Sequence, residues 1–262
     1  MQLRNSLFTF FLISALTICA APIPQAPSIA AKGYVLIDAS TGKVLSEFNG
    51  DELLPPASLT KIMTSYVAAV EIREGRINLA DQVPISVKAW RTPGSKTFVR
   101  EGTSVSLSDL LRGVIIQSGN DASVAVAEYI AGSEEAFAGM MNQHAEDIGM
   151  TRTDFRNSTG LPDREHLTTA RDLVTLVRSL ISEFPDHYKI YSEREFTYGG
   201  IRQNNRNRLL WRDKTVDGVK TGMTKDAGFC LVASAMRGVE EEEEEEAEEA
   251  EKASVSYTHL RA

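Results

Sequence analysis

The chain has almost no cysteine: Cys19 and Cys230 are its only two. Cys19 falls in an apolar N-terminal segment, so Cys230 stands alone in the body of the chain, which excludes an intramolecular disulfide there. In "GFCLVASA", Cys230 reads as a small buried hydrophobe. Metal chemistry finds little support either. His144, His166, His187 and His259 are scattered, and there is no H-E-x-x-H pattern or cysteine pair. His166, in "EHLTTARD", is expected to be a loop or packing histidine, not a triad base. No glycine-rich phosphate loop follows a strand, and no cofactor is called for. The net charge of −8 is also less informative than it looks. Residues 240–262 hold ten Glu against Lys252 and Arg261, which accounts for all of it. The remainder is neutral, with no basic field for nucleic acid and no acidic field for a basic partner.

Long hydrophobic runs are missing as well. The one apolar run, Leu7–Ile18, follows Arg4 and precedes the small residues Cys19, Ala20 and Ala21. It is short for a membrane span and has the layout of a secretory signal, so residues 1–21 are expected to be a signal peptide. The body is then exported, to the periplasm or cell envelope.

What is present has a clear order. Val35–Asp38, the turn Ser40-Thr41-Gly42 and Lys43–Phe48 predict a β-hairpin. Leu59, Ile62, Met63, Tyr66, Val67 and Val70 predict a helix with one buried face, ended by Gly75. A looser segment follows. Helices are then expected over Leu107–Gln117, Asp121–Ile130 and Glu134–Ile148. Thr169 and Asp172 cap another, with Leu173, Leu176, Val177 and Leu180 as its apolar face. Near the end, "TVDGVKTG" and "AGFCLVASAMRG" read as two strands joined by a short turn. Strands at both ends and helices between predict an α+β domain, over residues 30–239, whose terminal strands share one antiparallel sheet. The acidic run from Glu240 cannot bury area. Residues 240–262 are expected to be a disordered tail, and we favour the reading that the native sequence stops near Val239.

Three short patterns carry candidate chemistry. Ser58 and Lys61 form S-x-x-K at the start of the first helix. Residues i and i+3 share a helix face, so Lys61 can reach the Ser58 hydroxyl and act as its base once burial and neighbouring cations lower its pKa. Alone this is weak: such a pattern arises about once per chain of this size, and the plain alternative is a surface lysine beside a capping serine. Ser118 and Asn120 sit in the break between two helices, where they could merely cap. Functionally, Ser118 would relay protons with Lys61, and Asn120 would hold a substrate amide and fix Lys61. Lys220, Thr221 and Gly222 close a predicted strand. Lys220 would meet a substrate carboxylate, Thr221 would donate a hydroxyl, and Gly222 would let an extended substrate lie on the strand.

In this order, S-x-x-K, S-x-N and K-T-G mark penicillin-binding proteins and serine β-lactamases. The chain resembles the low-molecular-mass penicillin-binding proteins that are D-alanyl-D-alanine carboxypeptidases in "LPPASLTKIMTSYV", "GVIIQSGNDASVAVAEYIAGSEEAF", "HLTTARDL", "NRNRLLW" and "VDGVKTGMTKDAGFCLVASA", over about Lys32 to Gly238. The resemblance implies that fold, with an all-helical subdomain. It makes Ser58 the nucleophile and Lys61 the base, with Ser118, Asn120 and Lys220 completing the catalytic set. Thr221, Gly222, Met223 and Arg206 would bind substrate, the Ser58 and Met223 amides forming an oxyanion hole. The implied partners are peptidoglycan stem peptides ending in D-Ala-D-Ala, and β-lactams as covalent inhibitors.

Three departures matter. Met223 stands where some members carry histidine. The family fold continues past "LVASAMRG" into a further core strand and a helix, where this chain has glutamates, so the catalytic domain is expected to be incomplete at its C-terminal end. The small C-terminal β-rich domain and membrane anchor of many members are not seen. A serine β-lactamase, a D,D-endopeptidase and an inactive truncated chain are the rival readings. The lactamase usually carries S-D-N and a glutamate loop of E-x-x-L-N type, whereas here S-G-N stands and Glu165 is the nearest candidate glutamate.

Overall fold

The computed structural model describes residues 29–237 and the backbone of residues 253–260; the expected signal peptide lies outside them. In chain order the elements are β1 (Gly33–Asp38), β2 (Val44–Phe48), α1 (Thr60–Arg73), β3 (Gln82–Pro84), α2 (Val87–Arg91), β4 (Ser104–Ser106), α3 (Leu107–Arg112), α4 (Asn120–Ala131), α5 (Glu134–Asp147), α6 (Ala170–Glu183), α7 (Pro185–Tyr188), β5 (Glu195–Tyr198), β6 (Ile201–Asn204), α8 (Leu209–Arg212), β7 (Val216–Thr224), β8 (Gly228–Arg237) and β9 (Ala253–Leu260). Five strands form one antiparallel sheet in the order β2-β1-β9-β8-β7. Strands from both chain ends do share a sheet, as the sequence predicts.

The tail reading needs correction. Residues 253–260 are not disordered: they form the central strand, with Leu260 opposite both Gly33 of β1 and Cys230 of β8. Without a strand between them, β1 and β8 would each present a row of unpaired N–H and C=O groups, and any segment able to extend there satisfies both rows. "ASVSYTHL" carries the strand-forming residues Val255, Tyr257 and Thr258 and lies beyond the glutamate run. Reading all of 240–262 as one acidic block hid it.

Two apolar cores flank α1. One lies between the sheet and α1, α5 and α6, and includes Ile62, Met63, Phe137, Leu173, Leu176 and Leu180. The other is the helical subdomain around α3 and α4, with Leu107, Leu110, Leu111 and Val124, closed by the β3–β4 ribbon that the sequence reading left as loose chain. Each fully buried aliphatic side chain of this kind contributes about 1.5–3 kcal/mol. Because α1 runs between both cores it is buried on every side from Thr60 to Glu71, not on one face. Its polar stripe is therefore hydrogen-bonded inside the protein. Thr60 Oγ1 meets His166 Nε2 at 2.8 Å, Thr64 Oγ1 donates to the Ser158 carbonyl at 2.7 Å, and Ser65 Oγ meets His187 Nε2 at 2.6 Å.

His166 Nδ1 accepts the Arg156 N–H at 3.1 Å, so its Nε2 carries the proton and donates to Thr60. Burial pushes both His166 and His187 down to about 4. An unfolded histidine titrates near 6.5. As pH falls from about 6.5 to about 4 the unfolded chain takes up protons that the folded chain refuses, so stability is lost across that window. Urea midpoints are expected to drop between pH 7 and pH 4.5, with a shallower drop in His187→Gln. Midpoints independent of pH over this range would show that neither ring is held neutral.

Candidate active site

Ser58 lies in the 3-10 turn Ala57–Leu59 that leads into α1. Lys61 follows one turn later and is completely buried. Its Nζ has three oxygen partners among the described residues: Ser58 Oγ at 3.1 Å, Asn120 Oδ1 at 2.7 Å and the Thr159 carbonyl at 2.6 Å. Two of these are carbonyl oxygens, which can only accept. A neutral amine has two N–H bonds and one lone pair. The carbonyls take the two N–H bonds, and the lone pair is left for the one partner able to donate, the Ser58 hydroxyl. The environment favours that neutral form. Burial first, then the Lys220 and Arg206 cations, hold the Lys61 ammonium well below its ordinary range, against opposing pulls from Asp121 and Glu134.

The second motif stands across from the first. After α3 the chain makes one π-helical turn, Gly113–Gln117, and leaves it through Ser118 in the left-handed region, φ 64°. This turn points Ser118 Oγ at Lys220, whose Nζ donates to it at 2.9 Å. The relay expected between Ser118 and Lys61 is therefore not a direct hydrogen bond; Ser118 is tied to the third motif instead. Lys220 is buried on β7, and burial with the neighbouring Arg206 charge lowers it to about 7. Asn120 opens α4 and works in both directions: Oδ1 accepts from Lys61, and Nδ2 donates to the Pro93 carbonyl at 2.6 Å.

β7 brings K-T-G alongside. At Gly222 a β-carbon would stand 3.1 Å from the Ser58 amide nitrogen and 3.2 Å from the Pro56 carbonyl oxygen, so the close approach depends on glycine. Met223, the next residue, is exposed. Arg206 is anchored by its main chain to the Ile116 carbonyl and by Nε to the Gln117 carbonyl at 2.9 Å. Ser58, Ser118, Arg206, Thr221, Gly222 and Met223 all line one groove of 750 Å³, with Lys61, Asn120 and Lys220 buried beneath it. All nine predicted residues thus meet at one place.

The sequence reading missed three contributors. The Thr159 carbonyl is a main-chain group without a side-chain signature. It is aimed by an Asx turn in which Asn157 Oδ1 accepts from the Thr159 and Gly160 amides at 3.1 and 2.8 Å. Asp121, read only as a helix start, is fully buried and accepts the Thr97, Phe98 and Val99 amides at 2.8, 2.8 and 3.3 Å. Gly119 explains why this motif reads S-G-N: a β-carbon there would lie 2.1 Å from Thr97 Oγ1. Thr97 occupies that space and docks the 93–99 loop against the site. Glu165, the candidate lactamase glutamate, points away: its side chain is 72% exposed and pairs with Arg156 at 2.9 Å.

Comparison with known proteins agrees with this assembly. Residues 20–241 match the model of the peptidase S11 family, D-alanyl-D-alanine carboxypeptidase. The chain is 47% identical over 235 residues to D-alanyl-D-alanine carboxypeptidase DacC of Escherichia coli, covering 87% of this chain and 59% of that protein. It is 46% identical over 223 residues to DacA of the same organism, covering 82% and 55%. The chain thus spans a little over half the length of these curated relatives. Penicillin-binding protein 5 of Haemophilus influenzae superposes with a TM-score of 0.83 at 40% identity, over 90% of this chain and 67% of that one. With its three motifs gathered on a fold of the penicillin-binding type, this chain belongs to the peptidase S11 family, the D-alanyl-D-alanine carboxypeptidases.

Proposed function

We propose that the chain is a serine-type D-Ala-D-Ala carboxypeptidase acting on peptidoglycan stem peptides outside the cytoplasm, and that β-lactams acylate the same serine. The observation that carries the proposal is the fully buried Lys61 Nζ, held 3.1 Å from Ser58 Oγ by two carbonyl acceptors.

The substrate lies in the groove along β7. Its terminal carboxylate meets Arg206, Thr221 and the Lys220–Ser118 pair. Lys61 takes the Ser58 proton as Oγ attacks the carbonyl of the penultimate D-Ala. The Ser58 and Met223 amides hold the oxyanion. The C–N bond then breaks, the proton passes to the departing D-Ala amine, and an ester remains on Ser58. Water attacks that ester, gives a proton back through Lys61, and frees Ser58 and the shortened peptide. The exposed Glu165 speaks for this reading over a glutamate-assisted lactamase, since none of the described residues that line the groove is a glutamate able to activate a deacylating water.

The test uses the full chain with a fluorescent penicillin and with diacetyl-L-Lys-D-Ala-D-Ala. Expected are one penicillin adduct on Ser58 that decays slowly, and stoichiometric release of free D-Ala. Rapid turnover of the penicillin would favour the lactamase; neither adduct nor D-Ala would overturn the proposal.

A further inference from the structure

Glu134 opens α5, where an acidic side chain favours its own helix end. The capping bond itself comes from the preceding residue: Ser133 Oγ accepts the Ala136 amide at 3.1 Å. Glu134 is thereby free to turn to the 157–160 segment. Its Oε1 accepts both the amide and the hydroxyl of Ser158, at 3.2 and 2.9 Å. Its Oε2 pairs with Lys88 Nζ of α2 at 3.0 Å. The Glu134 side chain is 15% exposed, so these bonds lie largely out of water, where they are stronger.

The grip on Ser158 matters because of the residue that follows it. Ser158 is fully buried, and its own carbonyl accepts Thr64 Oγ1 at 2.7 Å. The next carbonyl, that of Thr159, accepts from Lys61 Nζ at 2.6 Å. Asn157 holds the Thr159 and Gly160 amides, and Glu134 holds the Ser158 amide just before them. Peptide units are planar, so fixing three successive amides leaves the Thr159 oxygen little freedom to turn away.

Glu134 is not among the described residues lining the groove. Its charge reaches the site all the same. Burial and the Lys220 and Arg206 cations disfavour the Lys61 ammonium, while Asp121 and Glu134 favour it. We propose that Glu134 is a positioning residue for acylation: through Ser158 it fixes the Thr159 carbonyl, which holds Lys61 Nζ beside Ser58 Oγ. The role rests on the function proposed above, since it acts through the Ser58–Lys61 pair.

The test follows acylation of the full chain by a fluorescent penicillin in stopped flow, per titrated active site, across a pH series. Glu134→Ala removes the grip and should lower the limiting acylation rate roughly tenfold. The penicillin concentration for half-saturation should not change, because Glu134 lies outside the groove. Glu134→Gln keeps an acceptor oxygen for Ser158 and drops the charge, so it should restore most of the plateau rate. Without that charge the Lys61 ammonium gives up its proton more readily, and the acidic limb of the profile should move to lower pH. Ser158→Ala removes the hydroxyl alone and should give a smaller drop; it decides the matter by itself if Glu134→Ala does not fold. Wild type labelled at Ser58, with per-site rates unchanged in these alanine variants, overturns the positioning role alone, whatever their melting temperatures. Wild type unlabelled at Ser58 overturns the function proposal and this role with it.

Discussion

Ser58→Ala is expected to abolish covalent labelling by penicillin and to lower D-Ala release by about 10⁴-fold or more, as loss of a nucleophile does elsewhere. No other described hydroxyl of the groove is hydrogen-bonded to Lys61. Ser118, the other serine hydroxyl beside a lysine, is buried and bonded to Lys220, and no hydrogen bond ties it to Lys61. The fold should survive, because the Ser58 side chain is partly exposed and the hydroxyl's recorded bond is to Lys61. Intact-mass analysis after incubation with penicillin, beside a thermal melt, reads both consequences. A labelled Ser58→Ala protein would place the nucleophile elsewhere.

Lys61→Arg is the second large effect. General-base loss typically lowers a rate by about 10²–10⁴-fold, and the arginine variant should fall within that range for acylation. Arginine keeps the positive charge and the hydrogen-bond donors but does not give up its proton in a protein. It therefore separates two roles that an alanine variant would confuse: a cation beside Ser58, and a base for it. If Lys61 served as a cation, the arginine variant would keep acylation that the uncharged Lys61→Met variant loses. Because Lys61 is completely buried between Asn120 and Thr159, the larger guanidinium also strains the site. Lys61→Met, which fits the volume but orphans two carbonyls, should lose acylation equally while failing differently in stability. Stopped-flow acylation rates for both variants, with urea melts, provide the comparison. Retained acylation in either one would remove Lys61 from the base role.

The amino-acid sequence by itself determined the chemistry present and much of the frame. The order S-x-x-K, S-x-N, K-T-G is local: each motif is three or four residues, and its spacing on a helix or strand follows from backbone geometry alone. The hairpin at Val35–Phe48, the helix from Thr60 and the paired strands around Gly222 were legible for the same reason, since each has its own period and turn residues. The tertiary structure alone decided the rest. Which residue holds Ser118 depends on β7 and the π-helical turn meeting, 102 positions apart in sequence. The Thr159 carbonyl that turns Lys61 toward Ser58 belongs to a peptide group, and peptide groups are the same at every position of a sequence. The burial of Thr60, Lys61, Thr64 and Ser65 reflects a helix enclosed by two cores, which an amphipathic pattern cannot express. The place of residues 253–260 between β1 and β8 was settled by two strand edges that both required a partner. Periodicity reports a segment's own preference, whereas a site is made where distant segments satisfy one another's unpaired groups.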